Sequence, residues 1–135
     1  MPEITVNASV NEIRTATDFI NRQLAQTGCD EWLRIQVDIA IDEILSNIAK
    51  FGYHRENSFA TVRFETVSDP RSIVLTFIDR GNPFDPQTAA VPDISLPAKD
   101  RFIGGLGLFM VRKIMDDVSY SYRDGQNILT VRKKY

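Results

Sequence analysis

A chain of 135 residues, 43% of them hydrophobic and 25% charged, has enough apolar material for one core and too little length for two, so a single domain over residues 1–135 is expected. Its formal net charge of −2 lacks the excess of Lys and Arg with which nucleic-acid binders displace counterions, and no apolar run reaches the length of a membrane span. One cysteine, Cys29, excludes an intrachain disulfide, and with one histidine, His54, the chain cannot gather the soft ligands of a structural zinc site. A hard ion on oxygen ligands, such as Mg²⁺, stays open. The first residues, MPEITVNAS, show neither the basic nor the apolar region of a targeting segment, so the expectation is a soluble cytoplasmic protein with no direct nucleic-acid or membrane partner.

Ile4, Val6 and Ala8 alternate with polar residues and predict a short first strand. Ser9 and Glu12 have capping-box spacing before a helical stripe of Ile13, Ala16, Phe19, Ile20 and Leu24 that stops at Gly28. Asp30 is placed to cap a second, longer helix carrying Leu33, Val37, Ala40, Ile41, Ile44 and Ile48 as far as Gly52. FATVRFETV, residues 59 to 67, and IVLTFI, residues 73 to 78, read as strands of an antiparallel hairpin turning at Asp69 and Pro70. A Pro- and Asp-rich stretch from Gly81 to about Ile103 has no periodicity, and loops of that length in compact domains are usually functional. Glycines then run into a third helix with Leu108, Val111, Ile114 and Met115, and Asp124-Gly125 joins two final strands, VSYSYR and NILTVRKK. The order β-α-α-β-β-loop-α-β-β predicts a two-layer α+β sandwich, a mixed, largely antiparallel sheet covered on one face by helices. Trp32, Phe59, Phe64 and Phe77 are expected in the core or at its edge.

Three groups of residues carry possible chemistry. Glu43 and Asn47, four apart on the second helix, share a face beside the apolar stripe, with Gln36 and Lys50 near the same line; a carboxylate next to an amide oxygen suits the positioning of water and a hard metal ion. Asp79 ends a predicted strand in DRGNPFDP, where its carboxylate can accept a hydrogen bond from an exocyclic amine while Gly81 lets the backbone pass close to a flat ligand. GGLGLF places Gly104, Gly105 and Gly107 against a helix start, where free N–H groups and the helix dipole attract anions. Taken singly, each group also has an ordinary reading: solvated helix residues, a turn after a strand, and a hinge.

In this order the three groups resemble the N, G1 and G2 boxes of the GHKL ATPase and kinase superfamily, the Bergerat ATP-binding fold. DRGNPFDP, a short lid, IGGLGLFMVRKIMDDVSY and a hairpin ending in NILTVRKK look like the single-domain anti-sigma factor serine/threonine kinases of bacteria. The resemblance implies ATP and Mg²⁺ as ligands, Glu43 as general base, Asn47 on Mg²⁺, and Asp79 on the adenine amine with Gly81 beside it. It further implies that Gly104, Gly105 and Gly107, with Leu108 among them, wrap the phosphates, and that Arg101 of the lid and Lys50 reach a phosphate. The tail SNIAKFGY after the asparagine is closer to sensor histidine kinases, yet the chain has no dimerisation helix bearing a phosphoacceptor histidine.

By this resemblance the chain is an ATP-dependent protein kinase that phosphorylates a serine of a STAS-domain anti-anti-sigma protein, sequesters a sigma factor and forms a homodimer. Two alternatives stand beside it: a module of the same fold that binds ATP or a partner and transfers nothing, and an ATPase without a protein acceptor.

Overall fold

The structure, a computed structural model, describes residues 2–7, 9–49, 59–81 and 103–135, with Val10 and residues 103–108 described by backbone alone. Strand β1 is Glu3–Asn7, followed by a 3₁₀ turn at Val10–Glu12 and the helices α1, Ile13–Ala25, and α2, Glu31–Asn47. Strands β2, Phe59–Val67, and β3, Ser72–Asp79, precede helix α3, Ile103–Ile114, and the closing hairpin of β4, Asp117–Arg123, and β5, Gln126–Lys134. The five strands lie in the order β1-β2-β3-β5-β4. Each pairing is antiparallel, so the described sheet is not mixed.

Local chemistry sets several boundaries. The Asp30 carboxylate accepts the Leu33 N–H at 2.8 Å and caps α2. The Ser9–Glu12 capping box does not form: Glu12 N–H bonds the Ser9 carbonyl at 3.1 Å within the 3₁₀ turn. The Glu12 carboxylate takes the Asn7 side-chain amide at 3.2 Å, and α1 begins only at Ile13. At the β4–β5 turn Asp124 and Gly125 both have positive φ, 52° and 76°, which suits a two-residue hairpin connection.

Register makes one face of the sheet apolar. Val62, Phe77 and Leu129 lie side by side across β2, β3 and β5, and Phe64, Leu75 and Val131 form the next row. These residues are buried in one cluster with Ala16, Ile20 and Leu24 of α1, Val37, Ile41 and Ile44 of α2, and Val111 of α3. The opposite face is mixed, with Thr5 bonded to Thr61, with Glu3–Arg63 and Asp117–Arg132 ion pairs, and with Val74, Ile78 and Ile128 among them. Phe59 shares the parity of Thr61 and Arg63, so it points to that open face and is exposed, contrary to its expected place in the core. Trp32 lies one residue before the buried stripe begins at Leu33, about 100° around the helix, and is also exposed.

The α1–α2 contact contains a polar pair: Asn21 Nδ2 donates to Asp38 Oδ1 at 3.1 Å. Burial raises the Asp38 pKa above 3.8, against the lowering effects of the Asn21 hydrogen bond and of Arg34. A raised folded-state pKa means that the native state holds the proton more tightly, so this group's contribution to stability declines as pH rises from the unfolded value through the folded one. Urea denaturation should therefore find Asp38→Asn more favourable relative to wild type at pH 7 than at pH 3.5, roughly the acidic end of the window. Phe77→Ala, at a site 1% exposed between three strands, should lose about 3–5 kcal/mol in the same assay.

Candidate functional site

The row of the sheet nearest the β3 C-terminus departs from the apolar pattern. Val6, Ala60, Asp79, Asn127 and Tyr122 follow one another across it, so a carboxylate and an amide occupy core-facing positions in the adjacent inner strands β3 and β5. Both are buried, Asp79 at 6% exposure. A carboxylate taken out of water must be compensated by donors. Asp79 Oδ1 accepts the Gly81 N–H at 2.8 Å and Asn127 Nδ2 at 3.0 Å. Asn127 Nδ2 also reaches the Gly81 carbonyl at 3.3 Å, and its Oδ1 accepts the Tyr120 hydroxyl at 2.5 Å. The chain Tyr120–Asn127–Asp79–Gly81 therefore fixes the carboxylate orientation at the edge of the core.

At the C-terminal end of α2, Asn47 is buried at 7% exposure, and its Nδ2 donates to the Glu43 carbonyl at 2.7 Å. A carbonyl can only accept, so the amide nitrogen must face it, which leaves Oδ1 pointing the other way. That oxygen is buried without a hydrogen-bond partner among the described residues. An orphaned acceptor of this kind is a place where a donor or a cation belongs. Glu43 is half-buried one turn below, and a wider π-type turn follows Asn47 at 48–49, a distortion common at functional sites.

Helix α3 begins at Ile103, one residue before the glycines. Gly104, Gly105, Gly107 and Leu108 thus lie inside its first turns, whereas the sequence reading had the glycines precede the helix. The first four N–H groups of a helix have no intrahelical acceptor, so the Gly104 and Gly105 N–H groups point out of the helix start while the Gly107 N–H faces the Ile103 carbonyl. Helix α3 packs against α2. Lys50 and Arg101 lie outside the described residues, as do His54, Phe84 and Phe102.

Asn127 and Tyr120 were not among the sequence candidates for this site. Asn127 is the first core-facing position after the Asp124-Gly125 turn, and Asp79 is the last of its strand. Only the antiparallel register brings them opposite each other.

Over residues 6–133 the chain matches the family described as Histidine kinase-like ATPase domain. It is 31% identical over 132 residues to the serine/threonine-protein kinase BtrW of Bordetella bronchiseptica, a match that covers 96% of this chain and 89% of that one. To the serine-protein kinase RsbW of Staphylococcus aureus it is 33% identical over 97 residues, covering 67% of this chain and 59% of RsbW. Its fold resembles the RsbU and RsbW domains of a Mycobacterium tuberculosis protein, with a TM-score of 0.66 at 18% identity, over 99% of this chain and 32% of that one. The histidine kinase AdeS of Acinetobacter baumannii is similar at a TM-score of 0.53 and 15% identity, over 99% of this chain and 68% of AdeS. The chain belongs to the histidine kinase-like ATPase domain family. Within that family it stands with the serine/threonine-protein kinases.

The Asp79 anchor can be tested without any ligand. Asn127→Ala removes donors to a buried carboxylate and should lower stability by about 1.5–3 kcal/mol in urea denaturation; Tyr120→Phe, which removes one hydroxyl, should cost less.

Proposed function

We propose that this chain is an ATP-dependent serine/threonine protein kinase that acts as an anti-sigma factor, phosphorylating a serine of a STAS-domain anti-anti-sigma protein and sequestering a sigma factor. The observation that carries the nucleotide part is the Asp79 carboxylate, buried and held by Gly81 N–H and Asn127 Nδ2 at 2.8 and 3.0 Å. A fixed acceptor at the edge of an apolar row recognises the exocyclic amine of adenine, and Gly81 lets the backbone come close to the base.

The donor set of α2 suits Mg²⁺. Asn47 Oδ1 is a hard, orphaned oxygen. Among the described residues no group of three His, Cys, Asp or Glu forms a cage of its own. This fits an ion held by one protein oxygen together with phosphates and waters, the usual manner for Mg²⁺. When bound, the ion supplies charge neutralisation at the phosphates. The N–H groups of Gly104 and Gly105, at the positive end of α3, take phosphate oxygens, with Gly107 and Leu108 completing the turn. Lys50 and Arg101, outside the described residues, are the cationic side chains that the resemblance assigns to the phosphates. Glu43 accepts the proton of the acceptor serine hydroxyl as its oxygen bonds to the phosphoryl group leaving ATP.

The protein works in this reading as a cytoplasmic homodimer. No described helix is long and apolar enough to cross a membrane. A pure docking module lacks a use for the Glu43 and Asn47 pair, and a module that binds ATP without transfer lacks a use for Glu43.

Calorimetry with ATP separates these roles. Wild type should bind with Mg²⁺ dependence, Asp79→Ala should abolish binding, and Asn47→Ala should bind without responding to Mg²⁺. Glu43→Gln should retain ATP affinity while phosphoryl transfer to the serine partner falls by roughly 10² to 10⁴. If Glu43→Gln transfers as well as wild type, Glu43 is not the base. If wild type binds ATP and transfers nothing to any STAS-domain acceptor, the binding-module reading replaces the kinase.

A further inference from the structure

The pole of the sheet remote from Asp79 carries a second set of residues that the nucleotide chemistry does not use. Along β3 and β5 the register runs from Asp79 opposite Asn127 at one end to Ser72 opposite Lys134 at the other. Seven residues of strand separate the two ends by about 23 Å. At the far end the start of α2, Arg71 before β3 and the last residues of β5 enclose an open cleft of about 430 Å³. Its rim includes Trp32, Gln36, Arg71, Lys133, Lys134 and Tyr135.

Two features set this surface apart. The first is apolar: Trp32 is 66% exposed, and Ile35 and Ile39, three and seven residues further along the same helix face, are 41% and 39% exposed. Helix α2 therefore buries one stripe in the core and presents a second, exposed stripe that starts at the cleft and has no covering element among the described residues. The second feature is electrostatic. Three cationic side chains line the cleft against one carboxylate, Asp30, whose Oδ1 is already engaged by the Leu33 N–H. Lys133 has Asp116 at 3.9 Å, and Lys134 is exposed. The Arg71 guanidinium lies 4.5 Å from the Tyr135 ring centroid, with Nε 3.4 Å from the Tyr135 carbonyl. The Tyr135 N–H in turn bonds the Arg71 carbonyl at 3.0 Å, so cation and ring are ordered together. In a chain of net charge −2, this is a local concentration of positive charge.

We propose that this cleft and the Trp32–Ile35–Ile39 stripe form a docking site for an acidic segment of a partner protein. An apolar side chain of that segment enters the cleft beside Trp32 and Tyr135, and its carboxylates meet Arg71, Lys133 and Lys134. Trp, Tyr and Arg are the residues that most often dominate protein interfaces, because they bury large area at small entropic cost and still offer polar tips. Charge complementarity selects the partner: an acidic segment is attracted here, whereas a basic one is repelled. The site is independent of the nucleotide reading: of its residues only Gln36 shares the line of Glu43 and Asn47, and the proposed nucleotide chemistry gives Gln36 no role.

Trp32 is the only tryptophan of the chain, so its fluorescence reports on the site directly. The probes are short synthetic peptides free of tryptophan: one with leucines at helical spacing among glutamates, one with the same leucines among lysines, and one with glutamates and serines in place of the leucines. The glutamate–leucine peptide should give a saturable blue shift of Trp32 emission that weakens with salt. The other two should bind at least about tenfold more weakly. Lys134→Glu, an exposed change, should reduce the affinity of the first peptide by a similar factor and leave ATP binding unchanged. Calorimetry on Trp32→Ala should show the same loss. The proposal is overturned if the glutamate–leucine peptide gives no saturable signal, if the lysine peptide binds as well, or if Lys134→Glu leaves the affinity unaltered. Loss of ATP binding by wild type would refute the nucleotide reading and leave this one standing.

Discussion

A carboxylate placed in the helix-facing layer of a sheet is a constraint that the surrounding structure must satisfy. Asp79 occupies the row that begins with Val6 and Ala60, where an apolar residue would fit without further arrangement. Its presence requires donors on both sides, and these come from the next turn of chain, Gly81, and from the neighbouring strand, Asn127. Asn127 is in turn held by Tyr120 from the edge strand. Three residues, Gly81, Asn127 and Tyr120, are thereby committed to the orientation of one side chain, and in the proposed nucleotide reading this is the orientation that adenine meets. Preorganisation of this kind lowers the ordering cost of binding.

Helix α2 serves three roles along its length. Its inward stripe, from Leu33 through Val37, Ile41 and Ile44, is core; its C-terminal end carries Glu43 and Asn47; its outward stripe begins at Trp32. A helix with apolar residues on more than one face is usually buried on more than one face, and α2 packs against both α1 and α3. The exposed isoleucines and tryptophan are what those contacts leave over.

Much of this was legible from local patterns. The helical periods, the Asp30 cap, the Asp124-Gly125 hairpin and the strand boundaries all follow from interactions within a few residues, and they place Glu43, Asn47 and Asp79 on the elements the sequence implies. Non-local features were not legible. The partnership of Asp79 with Asn127 spans 48 positions and depends on register, and a lone asparagine after a turn gives no sign of it. The capping box does not form: the Ser9 N–H goes to the Asn7 carbonyl and the Glu12 carboxylate takes the Asn7 side-chain amide. Trp32 and Phe59 read as core because large aromatics usually are; helix phase and strand parity turn them outward instead. The glycines read as a loop because glycine is a poor helix former, yet α3 starts before them.

The two-residue turn at Asp124 and Gly125 acts as a ruler for the row that holds Asp79. Because the turn holds Arg123 opposite Gln126, Asn127 falls on the core side and Ile128 on the open side. Successive strand residues alternate between faces, so the insertion of a single residue between the turn and Asn127, with β4 still paired from the turn, would carry the asparagine past Asp79 to the open face and leave the residue before it beside the carboxylate. Substitutions on the solvent side of this hairpin are open to drift, but its length is not: a hairpin residue 48 positions from Asp79 in sequence is the group that stands next to the carboxylate.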